Sequence, residues 1–292
     1  MDENQQDIKN LLSLLDDPDV KIWYPIRDTI FKRGKLALPI LNEHWQSSHN
    51  PILASRVQEL IYEIQFGELK AEWINWWNSN SGTLKEGVVL LGRIIDREFN
   101  LSQLENFVKP ITSEIWIELS DKLTALEKIR IIIYFLFEKR SINSLNNFES
   151  KSKHLFIRNL LLTGAGHPLS ISLLICLLCR DLSIPVYKAG NGEDPTLAYL
   201  DTQNNVPLLK ELDRYQTLFY ISPDLSGEIF SKTQYIEYLQ MQFPTQKLNY
   251  SAISDKLFIR VILQILQSFY KEEKNQKHLS EIKQLLSASI IY

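Results

Sequence analysis

Cysteine is scarce in this chain: Cys176 and Cys179 are the only two among 292 residues. Three residues apart in a helical pattern, they share a face but give no disulfide framework, and a reducing compartment fits. The pair also lacks the two further soft ligands that a zinc site needs, and no H-x-E motif accompanies it. No block of lysine or arginine stands out. With 32 basic and 35 acidic residues, a formal net charge of −3 and a pI near 6.0, the chain has no electrostatic footprint for nucleic acid. Long apolar runs are missing too. Those from Ile131 to Phe137 and from Ile171 to Cys179 fall short of the ~20 residues that a membrane helix needs. The opening MDENQQDIKN is acidic and polar, the wrong start for a secretory signal or a transit peptide. A cytoplasmic protein without metal or cofactor, with no nucleic-acid or membrane partner, is the expectation.

What is present suits a folded protein. The apolar fraction is 45% and the charged fraction 23%, and the length allows two or three packed units. Residues 7 to 16 read as a short amphipathic helix, followed by a turn at Asp16 to Asp19. Val20, Trp23, Ile26 and Ile30 then have apolar counterparts 34 residues later at Ala54, Val57, Leu60 and Ile64. Gly34 and a second helix, Leu36 to Trp45, lie between them, so each unit reads as a helix pair, and the spacing resembles HEAT-like repeats. Any two similarly capped amphipathic helices would also give this match. Trp73, Trp76 and Trp77 crowd a helix that ends at Asn78 to Gly82, a pattern that suits core packing. Thr83 with Glu86 reads as a capping box. Helices are expected over about 101 to 119 and 122 to 139, then a polar loop over 140 to 154.

The unusual chemistry gathers between Asn159 and Asp201, NLLLTGAGHPLSISLLICLLCRDLSIPVYKAGNGEDPTLAYLD. Gly164 and Gly166 permit tight backbone geometry, and Pro168 suits a first helical position. The helix should begin near His167 or Pro168 and, being apolar almost all round from Leu169 to Arg180, should be buried. Ser183 and Pro185 end it. Two β-like runs, Ile184 to Ala189 and Thr196 to Asp201, flank the turn-rich segment Gly190 to Asp194 and predict an antiparallel hairpin. After a long connection over 202 to 215, Thr217 to Ser222 predicts a third strand. Ser231 with Gln234 opens another helix, and two amphipathic helices close the chain, joined by YKEEKNQK as a solvated turn.

Gly166-His167-Pro168-Leu169-Ser170 at a helix start, Leu182 to Tyr187 after it, Leu197 to Asp201 in the next strand and FYISPDLSGEIFSK follow one another in a telling order. In that order the chain resembles the bacterial transglutaminase-like family to which the SirB-one proteins belong. The resemblance implies a small transglutaminase-like, papain-like core within a mostly helical α+β protein. Active members of that family carry a cysteine at the amino end of the buried helix, a histidine in the next strand and an aspartate in a later one. Here the first position falls at Leu169 or Ser170 and the second about Asp194. Both expected catalytic residues are absent. Gly164-Ala165 stands where the family usually has basic residues.

Rival chemistries fit worse. Cys176 or Cys179 with His167 as base would span roughly 13 to 18 Å at 1.5 Å per residue, beyond hydrogen-bond reach. Ser170 beside His167 is the remaining nucleophile, although a serine three residues into a helix more often caps it or faces solvent. His167 reads as an N-cap and Asp201 as a strand-end residue. A cleft between the helix start, the Gly190 to Pro195 loop and the Asn143 to Lys153 segment would bind through Gly166, His167, Pro168 and Asp194. The expected organisation is a helical repeat-like region at 1–120, a transglutaminase-like core at 121–245 and a helical hairpin at 246–292. The expected role is binding or scaffolding for a protein or peptide. The alternative is a low-activity hydrolase or acyltransferase using His167 and Ser170, with Asp201 in support.

Overall fold

A computed structural model of the chain describes residues 8, 10–12, 20–47, 50–145, 150–190, 192–202, 212, 215–242 and 251–289. Most of the 202 to 215 connection and Asn191 of the hairpin turn lie outside them, as does most of the first expected helix. The chain divides into two compact units, Met1–Asn75 and Trp76–Tyr292.

The first unit is helical. Helix α1, Val20–Arg33, stops at Gly34, whose φ of +54° is a conformation that side chains resist, and a 3-10 turn, Gly34–Leu36, leads into α2, Leu38–Ser47. Asn50 then caps α3, Pro51–Asn78, by accepting from the Ile52 N–H at 3.0 Å. Trp23, Ile26 and Ile30 share one core with Val57, Leu60 and Ile64, so three of the four pairs in the repeat pattern are buried together. The second copy is nevertheless no helix pair. Gly67 lies within α3 without a positive φ, so nothing there breaks the helix as Gly34 does, and α3 runs on for 28 residues.

The second unit begins with Trp76, whose ring lies where any side chain at Gly82 or Gly87 would sit; a Cβ on Gly87 would be 2.5 Å from it. Its indole N–H donates to the Thr83 carbonyl at 3.0 Å. Helix α4, Leu84–Gly92, and helix α5, Leu101–Glu118, open with reciprocal capping boxes at Thr83 with Glu86 and at Asn100 with Gln103, devices worth about 1 kcal/mol each. A third, Thr124 with Glu127, opens α6, Ala125–Ile133, which passes into a π-helical segment, Tyr134–Lys139. The stretch expected to be a loop is more ordered than its polarity suggests. Strand β1, Asn143–Ser144, pairs in parallel with β2, Ala165–Gly166, and Ser152–Leu155 forms a 3-10 turn ahead of α7, Ile157–Thr163. Backbone pairing supplies the order that side-chain periodicity does not show.

Helix α8, Pro168–Asp181, is the centre of this unit: every residue from Pro168 to Cys179 is buried. The sheet beside it is antiparallel in the order β3, Val186–Lys188; β4, Leu197–Leu200; β5, Thr217–Ser222; β6, Glu228–Phe230. Strands β3 to β5 fall where the sequence puts them, and β6 is added after the tight turn at Gly227, φ +83°. Ser231 and Gln234 exchange hydrogen bonds at the start of α9, Lys232–Gln242. Helices α10, Asp255–Glu272, and α11, Gln276–Ala288, pack together at the end. Helices α10 and α11 together take up most of the charged segment expected as a turn, leaving only Glu273 to Asn275 between them. Arg180 ties α10 to α8: its Nε and Nη2 donate to Asp255 at 3.1 and 2.7 Å, and Nη1 donates to the Val186 carbonyl at 2.7 Å.

The start of the buried helix as a candidate site

Each residue at the start of α8 has a local reason to be there. Gly164 ends α7 in the left-handed region at φ +71°. Gly166 is needed for space: a Cβ would come within 2.6 Å of Ser170 Oγ and 2.9 Å of Leu160 Cδ1. His167 is the N-cap, its Nδ1 accepting from the Leu169 N–H at 3.2 Å, and Pro168 follows at the first helical position. The His167 backbone N–H donates to the His154 carbonyl at 3.0 Å, which seats the preceding 3-10 turn on the helix start. The Phe269 ring of α10 meets the imidazole edge-on, with centroids 6.0 Å apart.

Burial first, and then the positive field of His154, push the His167 pKa down to about 4. With Nδ1 accepting, the ring proton sits on Nε2, so the imidazole is neutral and has no free lone pair for a base. Ser170 is wholly buried, not at the surface, and its hydroxyl donates to the His167 backbone carbonyl at 2.7 Å. The pair expected as nucleophile and base thus spends its hydrogen bonds on the backbone. The thiols are equally withdrawn. Cys176 and Cys179 are 0% exposed, and burial raises the Cys176 pKa to about 12 and pushes the Cys179 thiol up as well.

Asp194 points elsewhere. Its Oδ1 accepts from the Thr196 N–H at 3.1 Å and the Thr196 hydroxyl at 2.8 Å, and its Oδ2 accepts from the Tyr235 hydroxyl at 2.5 Å. Tyr235 stacks on Tyr220 at 4.1 Å between centroids. Next to Asp194, the Pro195 carbonyl accepts from the Ser172 hydroxyl at 2.5 Å, and Ser172 also donates to the Pro168 carbonyl at 3.0 Å. The loop is thereby pinned to the first turns of α8. Asp201 is half-buried just beyond β4, its N–H donating to the Gln216 carbonyl at 2.7 Å.

One charged residue in this region has no forewarning in the sequence. Lys188, in β3, is 1% exposed; its ammonium donates to the carbonyls of Ala189 and Gly190, and burial lowers its pKa to about 8 against the opposing pull of Asp194. Alternation would put one residue of Val186-Tyr187-Lys188 outside, but a strand covered on both faces does not alternate. Among the described residues, no group of three or more histidine, cysteine, aspartate or glutamate side chains is placed to hold a metal ion, and no helix is long and apolar enough to cross a membrane.

A buried helix entered through a Gly-x-Pro turn and flanked by an antiparallel sheet is the core of an α+β fold with transglutaminase-like architecture. The chain belongs to the transglutaminase-like superfamily, whose family model matches residues 102–267, more than half of its length. Neither the curated proteins nor the solved structures contain a match.

Proposed function

We propose that this protein is a non-catalytic binding or scaffold protein built on a degenerate transglutaminase-like fold of the SirB-one type, with a protein or peptide as its partner. The observation that carries the reading is the backbone engagement of both polar groups at the helix start: Ser170 donates to the His167 carbonyl and His167 accepts from the Leu169 N–H. A nucleophile needs its proton within reach of a base, and here the hydroxyl proton goes to an amide oxygen. The absence of cysteine at Leu169 and Ser170 and of histidine at Asp194 supports the same reading, as does the burial of both thiols. The Ser172 to Pro195 and Asp194 to Tyr235 bonds close the adjoining loop onto the buried helix, which suits a packed framework for recognition better than a site of turnover.

The test is turnover of activated esters and peptide amides by the purified protein beside its Ser170→Ala variant. The expected result is no release above the variant's level. Turnover that disappears with Ser170→Ala would favour a hydrolase or acyltransferase instead.

A further inference from the structure

A second feature lies outside the Asn159 to Asp201 stretch. Between the end of α5 and the α6 to π-helical segment is an open groove of about 490 Å³, lined by Glu118, Arg130, Ile131, Tyr134, Phe135 and Lys139. That volume falls in the range of small-molecule sites. Its floor is aromatic: Tyr134 and Phe135 meet edge to face with centroids 5.9 Å apart, and Tyr134 remains 55% exposed. The π-helical segment, Tyr134–Lys139, brings these successive aromatics and Lys139 to the groove, and such segments recur at functional sites.

The charges lining it are unequal. Lys139 sits over the Phe135 ring at 4.5 Å and lies 3.1 Å from Glu114, but Glu114 is already held by Arg140 through two bonds at 3.2 and 2.9 Å. Two cations therefore share that one carboxylate. Arg130 is exposed, and among the described residues it forms no salt bridge. Glu118 is the single carboxylate on the lining itself, against two cations.

We propose that this groove binds a small monoanionic apolar molecule, a carboxylate carried on an aromatic or aliphatic body. Arg130 takes the carboxylate in its planar fork, Tyr134, Phe135 and Ile131 cover the apolar body, and Glu118 excludes a second negative charge. This goes beyond the reading of the helix start and stands independently of it, since no residue is shared between the two.

The experiment is calorimetric titration of the full chain with 1-naphthoate, 1-naphthalenemethanol and 1-naphthylmethylamine, which differ in charge on one apolar body. Saturable binding of the naphthoate is expected, weaker by about tenfold or more for the alcohol and the amine. Arg130→Gln should weaken the naphthoate by a similar factor, Tyr134→Ala should weaken all three ligands, and Glu118→Gln should tighten the naphthoate. These side chains are at the surface, and circular dichroism checks that each variant is folded. Equal affinity for the three probes, no saturable binding of the naphthoate, or naphthoate binding unchanged in Arg130→Gln would overturn the proposal. Activity at Ser170 would leave it untouched.

Discussion

His167 is the N-cap of the buried helix. Its place before a proline at a helix start marks it as a cap, and Nδ1 does accept from the Leu169 N–H. Burial also makes it a pH-sensitive element. Above pH 6.5 the ring is neutral in both the folded and unfolded chain and contributes nothing to pH dependence. As the pH falls through 6.5, the unfolded chain takes up a proton that the folded chain refuses until about pH 4, so stability is lost across that window. His167→Asn retains a capping side chain and removes the titration. Urea unfolding between pH 7 and pH 4 should show the native chain losing on the order of 1 to 3 kcal/mol more than the variant. His154 and His278, also held below their usual range by burial, are common to both proteins and drop out of the difference. Identical pH profiles would contradict this role. Burial is what residue types alone did not reveal. Ser170 and Lys188 are polar in sequence and fully enclosed in the fold, because their backbone neighbours supply acceptors that no spacing rule announces.

At the scale of elements, the helices with capping boxes and the three strands bounded by turn residues were legible in the sequence. Thr83 with Glu86 and Ser231 with Gln234 mark helix starts that the structure retains, and Thr217 to Ser222 is a strand end to end. The elements that escaped are those set by backbone pairing and backbone geometry rather than by a side-chain pattern. Two-residue strands such as β1 and β2 carry no periodicity, and β6 exists because β5 offers it an edge. The π-helical segment follows α6 without any break in apolar pattern, so sequence gives one helix where the backbone gives two geometries. Gly166 joins the two kinds of case. It reads as a turn residue, yet its φ is not positive and its need is steric, set by Ser170 and Leu160. Gly166→Ala should therefore lower stability by roughly 1 to 3 kcal/mol through overpacking, read as a fall in the urea midpoint. An unchanged midpoint would show that Leu160 and Ser170 can move aside without cost.

Over the whole molecule, membership of the transglutaminase-like superfamily accounts for the core, and the proposal of a binding role rests on the residue chemistry at the start of its buried helix. That core is the buried helix with its Gly-x-Pro entry, its flanking sheet and the Arg180 to Asp255 ion pair that fastens it to α10. The groups an acyl-transfer reaction would use are turned inward or bound to backbone. The most direct measurement is intact-protein mass after native incubation with a serine-directed fluorophosphonate and, separately, with iodoacetamide. An unmodified mass is expected in both, with Cys176 and Cys179 labelled only after denaturation. A stoichiometric native adduct mapping to Ser170, Cys176 or Cys179 would contradict it.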